Sequence, residues 1–190
     1  MPSGKITPIF AVILYFVFLG CALFSTAYNA EPEVDFLYYV LLVLCISYSY
    51  VVEYMPGLKA PYVAAAASIP LLISAVSYTT EKRFYIVTIS FFLVILGREI
   101  CMDIKDRAGD AVSFMHKFKP RPLAVFAFSL QTTGLAVLAF RVRTIPDAVV
   151  LSVMMLLLIL SGIFWFSLAS YKPAIVLMKL PFFIGLYFLV

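Results

Sequence analysis

The sequence predicts an all-α protein, a multi-span transmembrane bundle of about seven helices forming a single domain over residues 1–190. Three observations carry the prediction. The chain is 64% hydrophobic with a mean hydropathy of +1.07, which is not the composition of a soluble domain. Its apolar residues fall into runs whose lengths suit a bilayer core roughly 30 Å thick, crossed by about 20 helical residues. Its Lys and Arg residues are shared unequally between the two sets of loops separating those runs. The formal net charge of +4 is modest, and the basic residues sit in loops and not in one patch, which argues against nucleic acid as a partner.

The apolar runs, in order, are Ile9–Tyr28, Phe36–Tyr54, Pro61–Tyr78, Phe84–Met102, Leu123–Phe140, Ala148–Leu168 and Pro173–Val190. Helix is the economical conformation for each, because an unpaired backbone N–H in lipid costs several kcal/mol. The third run opens "PYVAAAAS", and such small residues let neighbouring helices approach closely. No small-residue cleavage site is read after the first run, so it is expected to remain as a span. Nine basic residues lie with the N-terminal tail and the second, fourth and sixth loops: Lys5, Lys59, Arg98, Lys105, Arg107, Lys117, Lys119, Arg121 and Lys172. Four lie on the other side: Lys82, Arg83, Arg141 and Arg143. The expected location is therefore an integral, multi-pass one, with the N-terminus and the fourth loop cytoplasmic. Cys21, Cys45 and Cys101 match no metal-ligand spacing and read as small hydrophobes. His116 reads as a loop residue and Glu53 as interfacial. Lys179, inside the last run, either snorkels or pairs with a buried acid.

One stretch breaks the apolar pattern. "REICMDIKDRAGD", from Arg98 to Asp110, carries seven charges directly after "FYIVTISFFLVIL", which carries none. On a helix, Glu99, Asp103, Asp106 and Asp110 fall in one stripe about 60° wide. Four like charges on one face call for a positive partner. A hard divalent cation fits, since Mg²⁺ takes one or two carboxylates and keeps its other positions for water and phosphate oxygens. Arg98 and Lys105 could hold the same phosphate from the side. The alternative reading is a loop of mixed charges that pair with one another and solvate.

"GREICMDIKDRAGD" resembles the second aspartate-rich motif of the UbiA superfamily of intramembrane prenyltransferases (4-hydroxybenzoate polyprenyltransferase-like), R-E-x-x-x-D-x-x-D-x-x-G-D. Two further stretches agree in order. "PSGKITP" resembles the segment following the family's first aspartate-rich motif, and "YSYVVEYMPGLKAPYVAAAASIPLL" resembles its Y-S-x-x-L-K-R-x-P-x-x-G-N segment and the next span. The resemblance implies Mg²⁺-dependent transfer of an isoprenoid chain from a prenyl diphosphate to an aromatic or other hydrophobic acceptor. It implies Asp103, Asp106 and Asp110 as catalytic metal ligands, and Arg98 and Lys105 as diphosphate-binding residues.

The sequence departs from the family in three places. The first motif, N-D-x-x-D-x-x-x-D, is absent, and with it about two of the family's nine spans. Glu53 and Tyr54 stand where the family has Lys-Arg, and "SFMHKFKPRPLAV" stands where it has G-x-x-T-L-P. A separate polypeptide carrying the first motif is therefore an expected partner, with little turnover expected from this chain by itself. Two other classes of function stay open: a non-catalytic prenyl-lipid-binding protein or relic of the family, and a transport or scaffold protein with an unrelated acidic loop.

Overall fold

The computed structural model describes Val17, Gly20 and residues 32–78, 82–106, 118–168 and 170–185. The described residues form six α-helices and one 3-10 turn, with no strand among them. The helices are α1 (Pro32–Tyr54), α2 (Lys59–Tyr78), α3 (Lys82–Asp106), α4 (Pro120–Ala139), α5 (Ile145–Phe166) and α6 (Tyr171–Gly185), with the turn at Pro56–Leu58. Five of them, α1 to α5, are long and apolar enough to cross a membrane.

Of the seven expected spans, five appear as described helices long and apolar enough to cross a membrane. The first expected span, Ile9–Tyr28, lies outside the described residues apart from Val17 and Gly20. The last is described as the 15-residue α6. Residues 186–190, which complete the expected run, lie outside the described residues.

Helix ends follow local chemistry more closely than hydropathy. α1 is described from Pro32, four residues before the apolar run, and Glu33 and Asp35 in its first turn suit the positive end of the helix dipole. Pro56 disfavours helical geometry at Met55, and the chain passes through the Pro56–Leu58 turn, in which the Leu58 N–H donates to the Met55 carbonyl at 2.8 Å. α2 then opens on Lys59. α4 opens with Pro120 in its first turn, where a missing N–H costs nothing. α5 is closed at its start by a capping box: the Thr144 hydroxyl accepts from the Asp147 N–H, and the Asp147 carboxylate accepts from the Thr144 N–H at 3.0 Å.

α3 is the central element, packed against α2, α4 and α6. Its contact with α4 is very close, because Gly97 lies against the Ala127 carbonyl and Gly134 lies against the Ser90 carbonyl. The Ser90 hydroxyl donates to the Gly134 carbonyl at 2.6 Å across this seam. α5 lies on α6 and α4, joined to α6 by a bond from the buried Ser161 hydroxyl to the Ala174 carbonyl at 2.9 Å. α1 lies on α2, where the Tyr62 hydroxyl donates to the Leu44 carbonyl at 2.7 Å. One apolar cluster, including Ala60, Ile100, Cys101, Ala127, Trp165 and Met178, ties α2 to α6 through α3, α4 and α5.

Candidate functional site

The charged stretch continues α3 without a break as far as Asp106, four residues past the expected span end at Met102. Glu99 and Asp103, one helical turn apart, are both buried, at 9% and 7% exposure. Ile100 and Cys101 between them belong to the apolar cluster, so these carboxylates project from a packed helix and not from a loop. The Lys59 ammonium donates to Asp103 Oδ1 at 2.6 Å. Lys59 reaches this position because the Pro56–Leu58 turn ends just before it and α2 lies along α3. Charge pairs this far out of water are sensitive to the loss of one member, at about 3–5 kcal/mol, because the other is left uncompensated.

Glu99 forms an ion pair with Arg98, with Nη2 3.2 Å from Oε1. Lys179 is exposed on α6. Asp106 differs from the two acids before it. It is exposed and pairs with Lys105 at 3.2 Å, a surface contact worth about 0–1 kcal/mol. The expected single stripe of acids therefore divides into two buried members, Glu99 and Asp103, and one exposed member, Asp106. Asp110, the third expected metal ligand, lies outside the described residues, as do Arg107, His116 and the segment "PSGKITP".

Among the described residues, no three Asp, Glu, His or Cys side chains converge as a ready-made metal centre. Mg²⁺ does not require three, since one or two carboxylates with phosphate and water complete its shell. Glu99 and Asp103 supply hard oxygen donors of that kind. The lysine ammonium on Asp103 marks a position where the protein itself places positive charge. Both carboxylates are already paired with cations of the chain, Asp103 with Lys59 and Glu99 with Arg98.

Sequence reasoning counted Lys59 only toward membrane orientation and overlooked its pairing. Nothing local signals that pairing, because its partner is 44 residues away. Gln131 was also overlooked. It is 1% exposed on α4 and lies over Gly97, and its Nε2 has no hydrogen-bond partner among the described residues. A described groove lies at the other end of α3. It is an apolar recess of about 460 Å³ bounded by Pro32, Phe36, Leu72, Val76 and Tyr85, away from the buried acids.

The geometry at the end of α3 is thus a buried pair of carboxylates paired with two cations: Lys59 on α2 and Arg98 on α3 itself. Comparison of the chain with protein-family models, with curated proteins and with solved structures gives no match, so the functional reading rests on these residues themselves.

Proposed function

We propose that the chain is a prenyltransferase of the UbiA type, transferring an isoprenoid chain from a prenyl diphosphate to an aromatic or lipid acceptor. In this reading it has seven spans, and the charged end of α3 faces the cytoplasm. One observation carries the proposal: two buried carboxylates, Glu99 and Asp103, stand on one face at the end of an apolar span, in the motif R-E-x-x-x-D-x-x-D. Buried ionisable groups in a membrane helix are costly and mark sites of function more often than structure.

Asp103, with Glu99, Asp106 or Asp110 beside it, would hold Mg²⁺, which when bound supplies the positive charge that makes diphosphate a good leaving group. Arg98 and Lys105 orient the diphosphate oxygens from the side. The packed apolar cluster around Ile100, Ala127, Trp165 and Met178 keeps water from this end of α3. The Phe128 and Trp165 rings, packed edge to face with centroids 6.3 Å apart, lie in the same cluster.

A second reading has an observation of its own. Because Lys59 already balances Asp103, the site is electrically satisfied without a metal, as suits a protein that binds a prenyl lipid without turning it over. Membranes containing the chain, a prenyl diphosphate and an aromatic acceptor separate the two. Mg²⁺-dependent prenylated product that disappears in Asp103→Asn supports the enzyme. Mg²⁺-dependent binding without product, even with a two-span fragment bearing the first motif, supports the binder. Absence of both removes the two readings together.

A further inference from the structure

The loop between α4 and α5 carries two large apolar side chains that the bundle leaves open. Phe140 and Ile145 are each 82% exposed, more than any other large apolar residue described. They adjoin two helices long and apolar enough to cross a membrane, α4 ending at Ala139 and α5 starting at Ile145. At the end of a span such side chains lie where acyl chains meet headgroups. Between them stand Arg141 and Arg143, and arginine at such a depth directs its charge to the phosphate layer.

The loop is held in shape by its own backbone. The Arg141 and Val142 N–H groups donate to the Leu138 and Ala139 carbonyls at 2.9 and 3.1 Å. The Arg143 and Thr144 N–H groups donate to Asp147 Oδ2 at 2.9 and 3.0 Å. These backbone donors are used within the loop, so recognition of an anion falls to side chains. Arg143 is exposed, and its guanidinium is a planar fork of donors matched to phosphate oxygens.

More positive charge lies at the same level. The α3–α4 seam is antiparallel, with Gly97 on Ala127 and Ser90 on Gly134. Two turns further along each helix, this register sets Arg83, in the first turn of α3, level with Arg141. Lys82, Arg83, Arg141 and Arg143 are the four basic residues assigned to this side of the membrane, and all four belong to one corner of the bundle. The acids Glu33 and Asp35 belong to the first turn of α1, which packs on α2.

We infer that the α4–α5 loop docks an anionic phospholipid, with the Arg143 guanidinium on its phosphate and Phe140 and Ile145 among its acyl chains. A zwitterionic lipid offers a phosphate whose charge its own ammonium offsets, so the basic corner favours the anionic headgroup. Free phosphate brings no acyl chain to the exposed apolar pair. One basic residue at an anionic membrane surface changes association by about five-fold.

The test reads the loop itself. The full chain carrying Phe140→Trp and Trp165→Phe has its only tryptophan there, because the sequence contains one. It is reconstituted in phosphatidylcholine vesicles that include either phosphatidylglycerol or phosphatidylcholine brominated on the acyl chains, which quench a neighbouring indole. Competition between the two lipids gives their relative association at the loop. Phosphatidylglycerol should be preferred by about five-fold or more. Arg143→Gln should lower that preference about five-fold, and Arg143→Lys should keep most of it. Arg121→Gln, at the opposite end of α4, should leave the preference unchanged, and added inorganic phosphate should not displace the lipid. If the Trp165 replacement does not fold, Trp165 is retained and the signal of the chain without Phe140→Trp is subtracted. Equal quenching by the two lipids, or a preference that survives Arg143→Gln intact, overturns the assignment. Displacement by inorganic phosphate overturns the phospholipid as the ligand.

Discussion

Gly97→Ala isolates the part of the architecture on which the candidate site depends. Gly97 precedes Arg98 and Glu99 and forms the closest point of the α3–α4 seam. A Cβ added there would lie 2.3 Å from the Ala127 carbonyl oxygen and 2.7 Å from Gln131 Cγ. The side chain can turn away but the carbonyl belongs to the helix, so α3 and α4 must part by about 1.1 Å to reach the 3.4 Å at which ordinary contact begins. Overpacking of this kind costs roughly 1–3 kcal/mol. The loss of glycine's unfolded-state freedom returns about 0.4–1 kcal/mol. A net loss of about 1–2 kcal/mol is expected, which is a factor of about 5–30 in the folded-to-unfolded ratio. Unfolding of the purified protein by titration with sodium dodecyl sulphate, followed by Trp165 fluorescence, measures it. Gly162→Ala is the internal control, because its nearest neighbour is Phe128 Cε1 at an ordinary 3.6 Å, and it should be neutral or slightly stabilising. If Gly97→Ala is as stable as wild type within about 0.5 kcal/mol, the range expected of a bland surface change, the seam is not tight and the argument fails.

The other predictions are briefer. Lys105→Met should leave stability within about 1 kcal/mol of wild type, because its partner Asp106 is exposed, whereas Lys59→Met should cost several times more by stranding the buried Asp103; the same detergent titration compares them. Thr144→Ala should lose about 0.5–2 kcal/mol by opening the capping box of α5, while Thr144→Asp should retain most of it. A cysteine introduced at Glu33 should react with an impermeant reagent from outside the cell while one at Ser113 should not; the opposite pattern would reverse the orientation derived from the nine-to-four basic asymmetry.

The helices of this protein were legible in the sequence because they answer to one physical demand, the pairing of backbone groups in an apolar medium. The five long runs from Phe36 to Leu168 each appear as a described helix. Their ends were less legible, because hydropathy does not register a proline or a charge that local partners can satisfy. α1 begins at Pro32 and α3 continues to Asp106 for that reason. The spacing of the acids placed Glu99 and Asp103 on one face, as the structure has them, but could not say that Asp106 would turn to Lys105 at the surface. Burial depends on which neighbouring helix lies alongside, and α2 and α6 were not assigned to α3 by anything in the sequence. The Lys59–Asp103 pair and the buried Gln131 were invisible for the same reason: both are products of helix packing between segments distant in the chain.

The central claim, that the buried acids of α3 serve an isoprenoid diphosphate, is tested most directly by equilibrium binding of a radiolabelled prenyl diphosphate. The purified chain in lipid nanodiscs is titrated with and without Mg²⁺, as wild type and as Asp103→Asn. The account predicts saturable binding to wild type that requires Mg²⁺ and is lost in Asp103→Asn, with the folded state of the variant checked by Trp165 fluorescence. Binding that ignores both Mg²⁺ and the substitution, or no binding by a folded wild-type chain, would contradict it and leave Glu99 and Asp103 as members of a structural charge network.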